Sequence, residues 1–152
     1  MRLYIIRHGE TSWNKAKRLQ GRKDIMLDAD GIRLAEKTGE GMQDIDFDLV
    51  ISSPLIRAKQ TAELVLAGRQ IPMITDKRII EMSFGKWEGE SVRESTVLPA
   101  DYVDKFYHDP YHCPKAPGGE SFQDVLNRTA DFYQSLIKNC LLYTSPSPRD
   151  TR

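Results

Sequence analysis

Leu3-Tyr4-Ile5-Ile6-Arg7-His8-Gly9-Glu10 is the stretch on which the reading of this chain turns. A short apolar run followed at once by arginine, histidine and glycine describes a buried strand whose functional groups leave the sheet at its carboxyl edge. Ligands of open α/β folds bind at that edge. A histidine there can serve as base, metal ligand or nucleophile, and the neighbouring arginine favours an anion. Phosphate chemistry is the first expectation.

Working outward, strand and helix patterns alternate. Asp28-Ala29-Asp30-Gly31 opens a helix whose expected inner face is Ile32, Ala35, Gly39 and Met42. Asp48 to Ile51 reads as a second buried strand, ending in Ser52-Ser53. Ser53 is placed to cap the next helix, with Pro54 in its first turn. That helix is expected to run to about Ala67 on a face of Ala58, Ala62, Val65 and Leu66, where Gly68 stops it. Pro72 to Thr75 is a third short strand. From Arg78 to Pro117, glycines and prolines interrupt every pattern, so this stretch reads as an excursion carrying substrate-contacting loops and one or two short helices. Ser121-Phe122-Gln123-Asp124 then resembles a capping box and leads into a long apolar stripe from Phe122 to Ile137. Strands alternating with helices imply an α/β fold with three layers, α/β/α, around a mainly parallel sheet.

Bulk composition narrows the function. The 152 residues suit one domain and carry 22 basic against 22 acidic side chains, so there is no basic excess of the kind that accompanies nucleic-acid binding. Two cysteines, Cys113 and Cys140, cannot build a disulfide framework, which points to a reducing, cytoplasmic setting. No apolar run approaches the roughly 18 residues of a membrane span. A small phosphorylated substrate is the partner expected, with no nucleic acid and no membrane; the oligomeric state is left open.

Four blocks carry a resemblance. Arg7-His8-Gly9-Glu10-Thr11-Ser12-Trp13-Asn14 is similar to the signature of the histidine phosphatase superfamily, which includes the cofactor-dependent phosphoglycerate mutases. Ser52-Ser53-Pro54-Leu55 with Arg57-Ala58-Lys59-Gln60-Thr61-Ala62, then Glu81 with Trp87-Glu88-Gly89, then Pro117-Gly118-Gly119-Glu120-Ser121 follow in the family's order. The resemblance covers residues 1 to 139 and implies a phosphoglycerate mutase-like fold. It implies that His8 attacks phosphorus to form a phosphohistidine, and that Glu81 is the general acid, a role that suits a carboxyl group beside a phosphate dianion. It also implies that Arg7, Asn14 and Arg57 hold the phosphate, with Gln20 and Gly21 in the adjoining loop.

Physical chemistry supports the grouping. A phosphate monoester is a dianion and needs positive charge with directed donors, which two guanidinium forks at one rim would supply bidentately. The arginines also disfavour an imidazolium at His8. With that charge in place no metal or other cofactor is called for. His108, His112 and Cys113 do not read as a zinc site, because Pro110 breaks the helical spacing and no further ligand pair appears. Trp13, Phe84 and Trp87 read as packing residues, Gly9 as room for a ligand, and Lys15, Lys17, Arg18, Arg22 and Lys23 as a solvated basic rim.

The chain departs from the family at its end. The family's second histidine lies in a histidine-glycine pair on a strand after the long C-terminal helix, and neither His108 nor His112 has that context. Residues 140–152 carry no core pattern and read as a non-native, adapter-like tail on an incomplete domain of residues 1–139. A fold lacking its C-terminal strand would leave Leu3–Ile6 with an open edge and would tend to aggregate. The function expected is hydrolysis of small phosphate monoesters. The alternatives are a phosphoglycerate mutase and an inactive fragment or phospholigand-binding protein.

Overall fold

The computed structural model describes residues 2–143. The expected tail therefore lies, from residue 144 onward, outside the described residues.

A short turn of helix, α1 (Ser12–Lys15), follows the His8 loop, and a reciprocal cap fixes it. The Thr11 hydroxyl accepts from the Asn14 N–H at 3.2 Å, and the Asn14 side-chain oxygen accepts from the Thr11 N–H at 3.1 Å. Helix α2 (Ala29–Gly41) starts at Asp28, whose carboxylate accepts from the Gly31 N–H at 2.8 Å. Its buried face is Gly31, Ala35 and Gly39, whereas the expected Ile32 is exposed. Small residues are selected there because the backbones come close: a Cβ on Gly39 would lie 2.8 Å from the Val65 carbonyl of the facing helix.

That facing helix is α3 (Ile56–Leu66), joined to the strand β1 (Val50–Ser52). It begins two residues later than Pro54 suggested, with Leu55 at the cap and no side-chain bond from Ser53 into the helix. The inner face is also rotated from expectation: Arg57, Thr61, Val65 and Leu66 are buried, while Ala58 and Ala62 are only half-buried. Hydrophobicity alone could not show this, because the face selects an arginine and a threonine for what they bond. Strand β2 (Met73–Thr75) pairs parallel with β1, Ile51 opposite Ile74. This is the α/β arrangement with a parallel sheet that the alternation implied.

Leu3–Ile6 is a correction. The segment takes part in no sheet ladder among the described residues, and Ile5 is 88 % exposed. A β-strand is defined by its neighbours, and an apolar run without a ladder partner forms no sheet. Tyr4 is held by an edge-on contact with Phe47, ring centroids 5.5 Å apart.

Residues 78–117, expected as an excursion of substrate-contacting loops and one or two short helices, also contribute heavily to the core. They supply five of the ten buried apolar side chains among the described residues. Met82, Phe84, Trp87, Tyr102 and Ala116 form the buried cluster, and Leu19, Phe106, Phe122 and Val125 pack on it. The backbone is mostly tight turns, with one short helix, α4 (Tyr102–His108). Aromatic side chains reach far enough to build a core without regular spacing, as Trp87 does edge-on against Tyr102 at 5.0 Å. The long helix α5 (Phe122–Tyr143) carries the expected cap, with the Ser121 hydroxyl and the Asp124 carboxylate bonding each other's backbone N–H. Its backbone continues past Asn139, where an end was expected. Arg128 donates to the Arg78 carbonyl at 2.7 Å and docks α5 on the turn at residues 77–79.

Candidate active site

All seven residues singled out from the sequence line one cavity of about 540 Å³: Arg7, His8, Asn14, Gln20, Gly21, Arg57 and Glu81. The loop of His8, helices α1 and α3 and the start of the 78–117 segment converge there.

The backbone orients His8. Its Nδ1 lies 2.7 Å from the Gly9 carbonyl oxygen. A carbonyl can only accept, so Nδ1 must carry the proton, and in the neutral ring Nε2 keeps its lone pair. Burial lowers the histidine pKa below its ordinary 6.5, and Arg57 and Arg7 lower it further, although the Gly9 bond and Glu81 oppose them. The imidazole is thus held neutral at pH 7, with an unshared lone pair on Nε2.

Gly9 has a structural reason besides the one expected. A Cβ on it would lie 2.7 Å from the Gly31 carbonyl, and a Cβ on Gly31 would lie 2.2 Å from the Glu10 carbonyl. The glycine makes room for α2 while it also lines the cavity, and the loop is pinned on the helix's first turn.

Arg57 is 1 % exposed. Its guanidinium donates to the Lys23 carbonyl at 2.9 Å and the Gly21 carbonyl at 2.8 Å, and its buried Nε has no partner among the described residues. The expected free fork is partly spent on holding the 20–24 loop, yet a guanidinium has five N–H groups and those two bonds leave three. Burial pulls its pKa down from the ordinary value, with Glu81, Asp24 and Glu88 opposing; it stays charged.

Asn14 is also oriented. Its side-chain oxygen is taken by the Thr11 N–H and by the Thr11 hydroxyl at 2.9 Å, so its NH₂ is the end left for an anion. Gln20 lies on the other side of the same buried hydroxyl, at 2.9 Å. Glu81 is exposed at the cavity edge and accepts the Met82 N–H at 2.7 Å.

Several contributors were missed. Thr11 and Thr61 sit inside quoted blocks but were given no role; the Thr-x-x-Asn spacing and the four-residue step from Arg57 to Thr61 were the available signals. Glu88 accepts the Arg22 N–H at 2.9 Å and braces the loop from which Gly21 meets Arg57. Glu120 takes both arms of Arg128, Arg22 and the Ser83 N–H. Of the basic rim, Lys17 and Arg18 line the cavity, whereas Lys15 pairs with Asp28 and Asp30. That ammonium sits against the one group of three or more clustered metal-binding side chains among the described residues, Glu10, Asp28 and Asp30. His108 and His112 are paired with Asp104 and Asp109. Leu19, Phe84, Val92, Phe106 and Tyr107 give the cavity apolar lining beside its charged groups.

The chain is 39 % identical over 124 residues to an uncharacterized phosphatase, PhoE, of Bacillus subtilis, covering 82 % of this chain and 58 % of that one. It is 33 % identical over 141 residues to a probable phosphoglycerate mutase, GpmB, of Proteus mirabilis, covering 93 % and 63 %. Among solved structures, Bacillus stearothermophilus YhfR superposes with a TM-score of 0.80 at 35 % identity, over 88 % of this chain and 65 % of that one. The chain therefore spans less than two thirds of the length of these relatives. No helix among its described residues is long and apolar enough to cross a membrane. The sequence profile of the histidine phosphatase superfamily (branch 1) matches residues 3–141, nearly the whole chain, and with a cavity built around His8, Arg7 and Arg57 the chain belongs to that superfamily.

Proposed function

We propose that this protein hydrolyses small phosphate monoesters through a phosphohistidine on His8. The observation that carries the reading is the His8 ring itself, with Nδ1 committed to the Gly9 carbonyl and a lone pair left on Nε2 in a cavity shared with Arg7 and Arg57.

In the first step the Nε2 lone pair attacks phosphorus and the ester P–O bond breaks. A proton from Glu81 goes to the departing alkoxide. Water then attacks the phosphohistidine, Glu81 takes a proton from it, the P–N bond breaks and inorganic phosphate leaves. Arg7, Arg57 and the Asn14 NH₂ stabilise the charge that accumulates on the phosphoryl oxygens, the interaction class that contributes most to many such reactions. Gln20 and Gly21 belong to the loop that the Arg57 guanidinium holds. No cofactor enters this scheme. The partner is a small phosphorylated molecule, and a cytoplasmic setting is supported by a cysteine count too low for a disulfide framework.

A phosphoglycerate mutase using the same nucleophile is the second reading, favoured by the similarity to GpmB. Incubation with p-nitrophenyl phosphate separates the alternatives. The hydrolase releases inorganic phosphate and forms an acid-labile phosphoprotein that His8→Ala abolishes. Interconversion of phosphoglycerates without phosphate release would favour the mutase, and phosphate binding without any adduct would overturn both.

A further inference from the structure

Thr61 stands one turn beyond Arg57 on α3 and is buried. Its hydroxyl lies 2.7 Å from the Arg57 carbonyl and 3.0 Å from the Gly9 amide nitrogen. Only one arrangement of protons satisfies both contacts. The carbonyl can only accept, so the hydroxyl proton goes to Arg57, and an oxygen lone pair receives the Gly9 N–H.

The first of these bonds is ordinary. Threonines inside helices commonly bond the carbonyl four residues back, and this alone would imply no role. The second is different, because its donor comes from 52 positions earlier in the chain and both groups are buried. The same Gly9 residue presents its carbonyl to His8 Nδ1 at 2.7 Å. A glycine constrains neither of its own dihedrals, so the two peptide planes that flank Gly9 keep their relative orientation only if something outside holds them. On one side the Gly31 carbonyl fills the space where a Cβ would stand. On the other side the hold is the Thr61 hydroxyl.

We propose that Thr61 is a positioning residue: its hydroxyl ties the Gly9 peptide to the backbone of Arg57, and so fixes both the tautomer of His8 and its place relative to the guanidinium. The continuous chain is Arg57 carbonyl, Thr61 hydroxyl, Gly9 N–H, and then from the Gly9 carbonyl to His8 Nδ1. This inference rests on the phosphohistidine reading for its catalytic meaning, but its geometry can be tested without turnover.

The experiment compares the unsubstituted full chain with Thr61→Val, which keeps the shape and removes the hydroxyl, and Thr61→Ser, which keeps the hydroxyl and removes the methyl. Nitrogen-15 labelled histidine reports the His8 tautomer by NMR, and single-turnover p-nitrophenyl phosphate reports the rate of phosphohistidine formation. Thr61→Val is expected to admit the Nε2–H tautomer and to slow phosphorylation by about tenfold, the scale of one buried hydrogen bond, with KM changed by less than about twofold. Thr61→Ser is expected to restore the tautomer and most of the rate. A folded Thr61→Val with unaltered tautomer and rate overturns the proposal, and so does Thr61→Ser as impaired as Thr61→Val, since packing of the methyl would then be the whole effect. Amide exchange in the unsubstituted chain supplies a measurement independent of how the variants fold. The Gly9 N–H must exchange as slowly as core amides, and fast exchange overturns the clamp. If no phosphohistidine forms in any variant while the tautomer follows the hydroxyl, the hydrolase reading fails and the clamp stands.

Discussion

Arg57 and Gly21 are bound to one another across the floor of the cavity, guanidinium to carbonyl at 2.8 Å, and neither can change without displacing the other. Gly21 adopts φ +52°, and a Cβ there would lie 2.3 Å from Glu88 Oε1. Gly21→Ala is therefore expected to cost about 1–2 kcal/mol in backbone strain alone and to push the loop off Arg57. Thermal melts should show the loss of stability, and kcat/KM for a phosphate monoester should fall further than stability alone accounts for. An alanine variant with normal Tm and kcat/KM would contradict this account of the loop.

Arg57→Lys should behave as a severe substitution rather than a mild one. An ammonium cannot reach the Gly21 and Lys23 carbonyls in the same geometry and still face the cavity. Each charge-assisted bond lost is worth about 1.5–3 kcal/mol. The variant is expected to melt at lower temperature and to form phosphohistidine about a hundredfold more slowly or worse. Retention of both properties would show that the two carbonyl bonds carry no weight.

The pH profile follows from His8. Its pKa lies below the ordinary 6.5, owing first to burial and then to Arg57 and Arg7. The proposed nucleophile is neutral above that lowered value and protonates as the pH falls through it. The acid limb of kcat/KM is therefore expected below pH 6.5, and Arg7→Ala should move it upward by removing one of the opposing charges. An acid limb that stays put in Arg7→Ala would separate Arg7 from the imidazole.

Glu120 makes acid stability a separate experiment. Burial raises its pKa, but bonds from Arg128 and the Ser83 N–H, with the charge of Arg22, outweigh it and leave the carboxyl below its ordinary 4.5. A group depressed in the folded state stabilises fully above its unfolded pKa and loses that contribution as the pH falls through the folded one. Stability should decline below about pH 4.5. Glu120→Gln should be less stable at neutral pH and show a flatter decline, measured by urea melts from pH 6 to pH 3. A variant with the slope of the parent would locate the acid sensitivity elsewhere.

Leu3, Ile5 and Ile6, like Leu49 and Ile74, present apolar side chains to solvent. Exposed apolar groups of this kind promote association. The chain is expected to bind a hydrophobic dye and to aggregate on concentration, and Ile5→Lys should reduce both without lowering Tm. Dye binding unaffected by that change would place the adhesive surface somewhere else.

How much was legible differed between elements for identifiable reasons. Helices α2 and α5 and the strand β2 could be read because caps and apolar spacing are local: Asp28 and Ser121 bond backbone within three residues. The face of α3 could not, since Arg57 and Thr61 are buried through partners at residues 9, 21 and 23 that no local window contains. The core of the 78–117 segment could not be read either, because aromatic rings build it without periodicity. For Leu3–Ile6 the apolar pattern was real, but a sheet also needs a neighbouring strand.

The linear order of residues determined the chemistry available here: which side chains can attack, donate a proton or hold an anion, and roughly where each element begins. Tertiary structure alone decided that seven of them share a cavity, that Arg57 spends two donors on the loop beneath it, and that a threonine hydroxyl stands between that arginine and the histidine loop. The division has a physical basis. Capping and periodicity act over a few residues, whereas a buried hydrogen bond between positions 9 and 61 exists only after the chain has folded back on itself.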